Sequence, residues 1–207
     1  MLKLPLKMPE TINGKRIFLE RPPVRLSVAT EVYEAAQESV KTGQLWSPYT
    51  GKEDKKLFMK GLRQEQNKWE KGLLYDYIIR DKKTKKLLGF VNVRDIMMYS
   101  HSGELGYWLR PKAVGYGYCQ EAIQLLESAC FKAGLNRLVI RPDSLNKKSC
   151  AVACRAGYTL DGVLRADSWA PDFKCINDTH FYTKLKSEWE KQHKSKGKKH
   201  VKNAGKN

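Results

Sequence analysis

Glu104-Leu105-Gly106-Tyr107-Trp108-Leu109-Arg110-Pro111-Lys112-Ala113-Val114-Gly115-Tyr116-Gly117-Tyr118-Cys119-Gln120-Glu121-Ala122 is the stretch that decides the fold. Leu105 to Leu109 reads as an apolar, aromatic-rich strand and Arg110-Pro111-Lys112 as a turn. Gly115 and Gly117 follow, and a helical pattern begins at Tyr118. A strand, a glycine loop and a helix start in that order make an anion cradle. The first N–H groups of a helix have no partner within it, and the helix dipole adds positive potential there. Glycine lets the backbone approach an anion with no Cβ in the way. This loop reads as a holder for a pyrophosphate, although two glycines so spaced also occur in plain turns. Neither common nucleotide fingerprint fits. A P-loop requires Gly-Lys-Ser/Thr where this chain has Gly117-Tyr118-Cys119, and a dinucleotide fold requires a third glycine and an early βαβ unit.

Working outward, Lys15–Leu19 and Arg25–Val28 read as strand pieces broken by Pro22-Pro23. Thr30 is placed to cap a helix over Glu31–Lys41 that Gly43 ends, and Lys52–Lys71 is amphipathic, with Gly72 as its stop. Tyr75–Arg80 and Leu87–Asp95 alternate as a hairpin around Asp81-Lys82-Lys83-Thr84. After the loop come a helix over Tyr118–Ala133, a buried-type strand over Asn136–Arg141 and a short helix capped by Asn146 and ended by Gly157. Tyr158–Ala166 and Thr179–Lys186 close the sheet as antiparallel strands. The fold class is α/β (α+β), with a strand-rich N-terminal half and a β-α-β-α-β-β second half. The domains read as an N-terminal extension over 1–14, one folded domain over 15–186 and a basic, disordered tail over 187–207.

The chain of 207 residues is 41% hydrophobic, which suits one domain with a real core. It has no long apolar run or signal-type leader, so no membrane span is expected. Five cysteines without a C-x-x-C pair read as reduced thiols in a cytoplasmic protein, and no metal site is expected. The net charge is +17, and seven lysines with no acid fall in Lys191–Asn207. Such a tail either solubilises the chain or draws it to RNA, such as a ribosome surface.

Lys112-Ala113-Val114-Gly115-Tyr116-Gly117 resembles the Gln/Arg-x-x-Gly-x-Gly/Ala pyrophosphate loop of the GNAT acetyltransferases, with lysine in place of the usual glutamine or arginine. The flanking Gly106-Tyr107-Trp108-Leu109 and Glu121-Ala122 resemble the Rim branch, which acetylates ribosomal-protein N-termini. So do Asn146-Lys147-Lys148-Ser149, Ala153 and Ala156-Gly157-Tyr158 further on. The resemblance spans roughly residues 15–186. It implies the GNAT sheet with a splayed central pair of parallel strands, acetyl-CoA as co-substrate, and an amine acceptor. Acceptor candidates are a protein N-terminus or a small amine (polyamine, antibiotic or amino acid). A non-catalytic, RNA-attached binding module is the other class, and the oligomeric state reads as monomer or homodimer.

What the resemblance implies for residues is as follows. The Lys112–Tyr118 loop, including Ala113, Val114 and Tyr116, holds the pyrophosphate. The backbone of Tyr107, Trp108 and Leu109 pairs with the pantetheine arm. Asn146 reaches that arm, while Ser149 donates to the departing thiolate; helix capping by Asn146 and Ser149 explains the same pair structurally. An α-amine ionises near ~7.7–8 and a lysine near ~10.4, so an N-terminal acceptor asks little of a base. Glu104 is the first base candidate and Asp167 the second; each also reads as a solvated carboxylate. Gln44-Leu45-Trp46-Ser47-Pro48-Tyr49 is expected to line the acceptor side, and its lack of acid disfavours polyamines.

Overall fold

The computed structural model describes residues 5–44 and 46–193. Its strands are β1 (Thr11–Asn13), β2 (Ile17–Glu20), β3 (Leu74–Asp81), β4 (Leu87–Met97), β5 (Ser102–Leu109), β6 (Arg137–Ile140), β7 (Thr159–Ala170) and β8 (Cys175–Leu185). The helices are α1 (Leu26–Lys41), α2 (Lys55–Glu70), α3 (Tyr118–Lys132) and α4 (Lys147–Arg155), and residues 186–193 are also helical.

All eight strands form one sheet in the order β1-β2-β3-β4-β5-β6-β8-β7. Every neighbouring pair is antiparallel except β5 and β6. That parallel pair is short. β5 meets β6 only from Ser102 to Glu104, yet stays paired with β4 as far as Leu109. Beyond Glu104 the two parallel strands part, and the β6-side edge of Leu105–Leu109 is left without a strand partner.

Alternation along the strands sorts residues to two faces. Tyr75, Tyr77, Ile79, Val91, Val93 and Leu105 pack with Ile123, Leu126 and Phe131 of α3. Ile78 and Leu87 pack instead with Val28, Val32, Ala35 and Leu62 of α1 and α2, and Phe90 and Trp108 border that cluster. β3 is covered on both sides, which is why it reads as a nearly unbroken apolar run.

A buried ion pair ties the α3 side together. Lys184 Nζ of β8 donates to Glu127 Oε2 of α3 at 2.9 Å and to the carbonyl of Ala156, just past α4. Lys184 is 1% exposed and Glu127 2%. The pair fixes α4 relative to α3, and with it the residues that α4 presents at the splay.

Three expectations fail locally. Arg25–Val28 is not strand: α1 begins at Leu26, so Thr30 lies inside the helix and caps nothing. Val28, Ala29, Val32, Ala35 and Ala36 fall on one helical face and are all buried. Burying that face outweighs the short alternation of Arg25–Val28. The N-terminal extension is not loose in its described part, because Leu6 and Met8 are buried and Tyr75 and Tyr77 donate their hydroxyls to the carbonyls of Leu6 and Pro9. The expected tail starts late. Residues 186–193 continue as helix and Trp189 packs on Phe131, ring centres 5.6 Å apart. Residues 194–207, where most of the lysine-rich tail falls, lie outside the described residues.

Candidate active site

A short loop joins the end of β5 at Leu109 to the start of α3 at Tyr118. Pro111–Ala113 forms one 3-10 turn, Gly115 has φ +93° and Gly117 has φ +77°. Gly117 is the N-cap residue of α3, and no side chain caps that end. Among the described residues a Cβ built at Gly115 meets no atom within 4 Å, so the loop faces open space at its glycine. Open space, positive-φ glycine and an uncapped helix start together fit an anion.

Arg16 was not singled out in the sequence, and it braces this loop. Its guanidinium donates to the Tyr116 carbonyl at 2.7 Å, pairs with Glu121 at 2.8 Å and lies 5.0 Å over the Tyr118 ring. Glu121 also accepts from the Arg16 N–H. Burial raises the Glu121 carboxyl, but its Arg16 hydrogen bonds outweigh that and leave it below its ordinary value. Lys112 is exposed and stands 3.9 Å from Glu38. Cys119, in the first turn of α3, is pushed up to about 12 by burial and stays a thiol.

Tyr107 and Trp108 point to opposite faces. The Tyr107 hydroxyl lies 2.8 Å from Ser149 Oγ, so β5 and α4 meet through these two oxygens. Burial raises the Tyr107 hydroxyl above its ordinary value despite the Ser149 bond, and the phenol stays protonated. Asn146 Oδ1 accepts from Ser149 N at 3.1 Å, so the capping role expected of this pair is present. Leu109 offers its carbonyl to Gln44 Nε2 at 2.9 Å.

Glu104 and Asp167 come together through arginine. Glu104 pairs with Arg94 at 2.6 Å and Arg141 at 3.6 Å, and Asp167 holds Arg141 at 3.0 Å. Both base candidates are therefore bound to guanidinium groups, neither standing alone.

On the other face of β5 lies a cavity of about 520 Å³ between the sheet and the α1–α2 side. Trp46, Pro48 and Tyr49 of the segment over Gln44–Tyr49 line it; Leu45 lies outside the described residues. The tip of the β7–β8 hairpin reaches this wall: Trp46 N donates to Asp172 at 2.7 Å, and its ring centre is 5.7 Å from Phe173. Acids do line the cavity, but they come from other elements: Glu53 before α2, Glu65 on α2 and Asp76 on β3. These acids leave the cavity suited to a cation despite the acid-free loop over Gln44–Tyr49. Asp76 had a sequence signal, as an isolated acid inside the apolar run Leu74–Ile79. Glu65 had none, being one charge among many on a polar helix.

Residues 16–159 match the acetyltransferase (GNAT) domain family. The chain belongs to that family of acetyltransferases. Among individual proteins, the chain is 30% identical over 104 residues to the ribosomal-protein-serine acetyltransferase of Escherichia coli. That match takes in 50% of this chain and 57% of the relative, so it spans little more than half the relative's length. The structure of the microcin C7 self-immunity acetyltransferase, bound to acetyl-CoA and AMP, superposes with TM-score 0.74 at 25% identity, covering 83% of this chain and 93% of that one. The ribosomal-protein-S5-alanine acetyltransferase of Vibrio fischeri has the same fold, with TM-score 0.74 at 19% identity over 86% of this chain and 98% of its own. Among the described residues no helix is long and apolar enough to cross a membrane.

Proposed function

We propose that this acetyltransferase modifies the α-amino group at a protein N-terminus, with ribosomal proteins as the acceptor class and the cytoplasm as the place of reaction. One observation carries the reading. Among the described residues β5 has no strand partner on its β6 side beyond Glu104, and Gly106, Tyr107 and Trp108 of that stretch line a cavity together with Trp46, Pro48 and Tyr49. A peptide end fits such an entrance. The named relatives that act on ribosomal proteins support the acceptor class.

When bound, acetyl-CoA supplies a thioester whose carbonyl accepts an amine. The amides around Gly115 and Gly117, with Lys112 near them, hold its diphosphate. Backbone groups of Tyr107–Leu109 take its amide arm as an added strand, with Asn146 at the far side. Ser149 donates its proton toward the sulfur, and the Tyr107 hydroxyl can donate to Ser149 Oγ in turn. An α-amine near ~7.7–8 is partly neutral at physiological pH, so its proton needs only a modest acceptor. Glu104, fixed by Arg94 and Arg141, receives that proton through water, and Asp167 steadies Arg141.

The carboxyls of Glu65 and Asp76 favour one second reading, a cationic small amine as acceptor. Intact-mass measurement separates the two. Purified ribosomal proteins and a panel of polyamines and amino acids are incubated with acetyl-CoA. Gain of one acetyl group on a protein N-terminus supports the first reading, and acetylation confined to the small amines overturns it.

A further inference from the structure

The floor of the cavity has an order that the transfer chemistry does not use. Asp76, Asn92 and Gly106 stand opposite one another on β3, β4 and β5. Asn92 Nδ2 donates to Asp76 Oδ1 at 3.1 Å, and Asn92 Oδ1 is buried without a hydrogen-bond partner among the described residues. Trp108 Nε1, two residues along β5 from Gly106, is a second buried atom without a partner among the described residues. Both residues line the cavity. Asp76 is 6% exposed, and neither it nor Glu65 forms an ion pair among the described residues. Arg94, which also lines the cavity, is taken by Glu104 and Asp95. Gly106 keeps the row passable, since a Cβ there would stand 2.7 Å from Asn92 Oδ1 and 3.0 Å from Arg94 Nη1.

These groups define an occupant by complement. Asn92 Oδ1 and the two carboxyls ask for a donor, preferably a cation. The indole N–H only donates, so it asks for an acceptor. A fully protonated polyamine brings donors alone and would leave Trp108 Nε1 unmet. A peptide brings both, a carbonyl and a side chain. From β5 to β3 is two strand spacings, about 9–10 Å. An extended residue of about 3.5 Å with a long side chain covers that distance, and a serine hydroxyl does not.

We propose that Asp76 and Glu65 select acceptor peptides carrying lysine or arginine within the first two residues, while Trp108 Nε1 donates to a carbonyl of the same peptide. This rests on the peptide reading above. Burial and each other's charge hold the Asp76 carboxyl well above its ordinary range, and burial raises that of Glu65. The positive charges of Arg94 on Asp76 and of Lys68 on Glu65 only partly offset this.

The test uses the full chain saturated with coenzyme A and peptides identical except for lysine, arginine, norleucine or Nε-acetyl-lysine at the first or second position. Binding is read by titration calorimetry, and kcat/KM with acetyl-CoA is read in parallel. The cationic peptides should bind about 10-fold or more tightly than the norleucine peptide, as one hydrogen bond to a charged group implies. In Asp76→Asn and Glu65→Gln that advantage should shrink to about threefold or less while norleucine binding is unchanged. Equal binding of the lysine and norleucine peptides overturns the proposal, as does an advantage that survives in the double variant. A linear diamine that outbinds every peptide overturns it as well. Peptides acetylated without cation preference would end this proposal alone. A cation preference in binding with no peptide acetylated would end the N-terminal acetylation reading, and this proposal with it, because the bound peptides would not be acceptors.

Discussion

Valine at Gly115 is the sharpest perturbation of the cradle. Gly115 sits at φ +93° with no atom within 4 Å of an added Cβ, so the substitution brings no clash. Its effect is conformational. An L-residue in the left-handed region costs about 1–2 kcal/mol, and valine escapes by turning φ negative, which swings the amides of 115–117 away from the anion. In a chain of this size the cost corresponds to a fall in Tm of about 2–8 °C. A backbone N–H bonded to a charged oxygen contributes about 1.5–3 kcal/mol, so losing one raises the Kd for coenzyme A by about 10- to 150-fold. Calorimetric titration measures this directly. Thermal shift checks it independently: coenzyme A at 100 times the wild-type Kd stabilises the wild type by about 2.7 kcal/mol, but a variant binding 100-fold more weakly by only about 0.4 kcal/mol. Gly43→Val is the control, because Gly43 has φ +59° and open space around its Cβ but lies at the end of α1. It should lose comparable stability and keep its affinity. A folded Gly115→Val protein whose Kd stays within about twofold of wild type would refute the cradle.

Ser149→Ala should lower kcat by about 10- to 150-fold, the value of one hydrogen bond to a charged group, and leave coenzyme A affinity unchanged; an unaltered turnover number removes Ser149 from the mechanism. Glu127→Gln strands the Lys184 ammonium in the interior and should cost about 3–5 kcal/mol in urea denaturation, while Glu127→Leu with Lys184→Met recovers most of it. Asp76→Asn gives a pH signature. Asp76 ionises near ~3.9 when unfolded but keeps its proton to higher pH when folded, chiefly through burial. Folding then takes up a proton, and its contribution to stability is lost as pH rises from about 4 toward the folded value. The urea midpoint of Asp76→Asn relative to wild type should therefore rise from about pH 4 toward neutrality, and a flat difference would contradict the burial argument. Removing residues 194–207 should leave acetylation of a short peptide intact and weaken salt-dependent retention on ribosomal RNA; unchanged retention would assign the tail no role in docking.

Much of this protein was written locally. The strand, glycine loop and helix start from Glu104 to Ala122 lie where the sequence places them, because turn glycines and helix starts are set by residues close in the chain. The Asn146 cap and the Asp81 turn hold for the same reason: a short side chain reaches only the next few backbone amides. Tertiary structure decided the rest. Whether Arg25–Val28 is strand or helix depended on which face found a sheet to cover, and that sheet comes from β3 and β4, far along the chain. Arg16 reaches the loop from a distant position. Asp76, Asn92 and Gly106 form a row only through strand register. The gap beside β5 exists because β6 pairs with it briefly and then leaves. No local pattern encodes where two strands part, since that is fixed by what packs between and behind them.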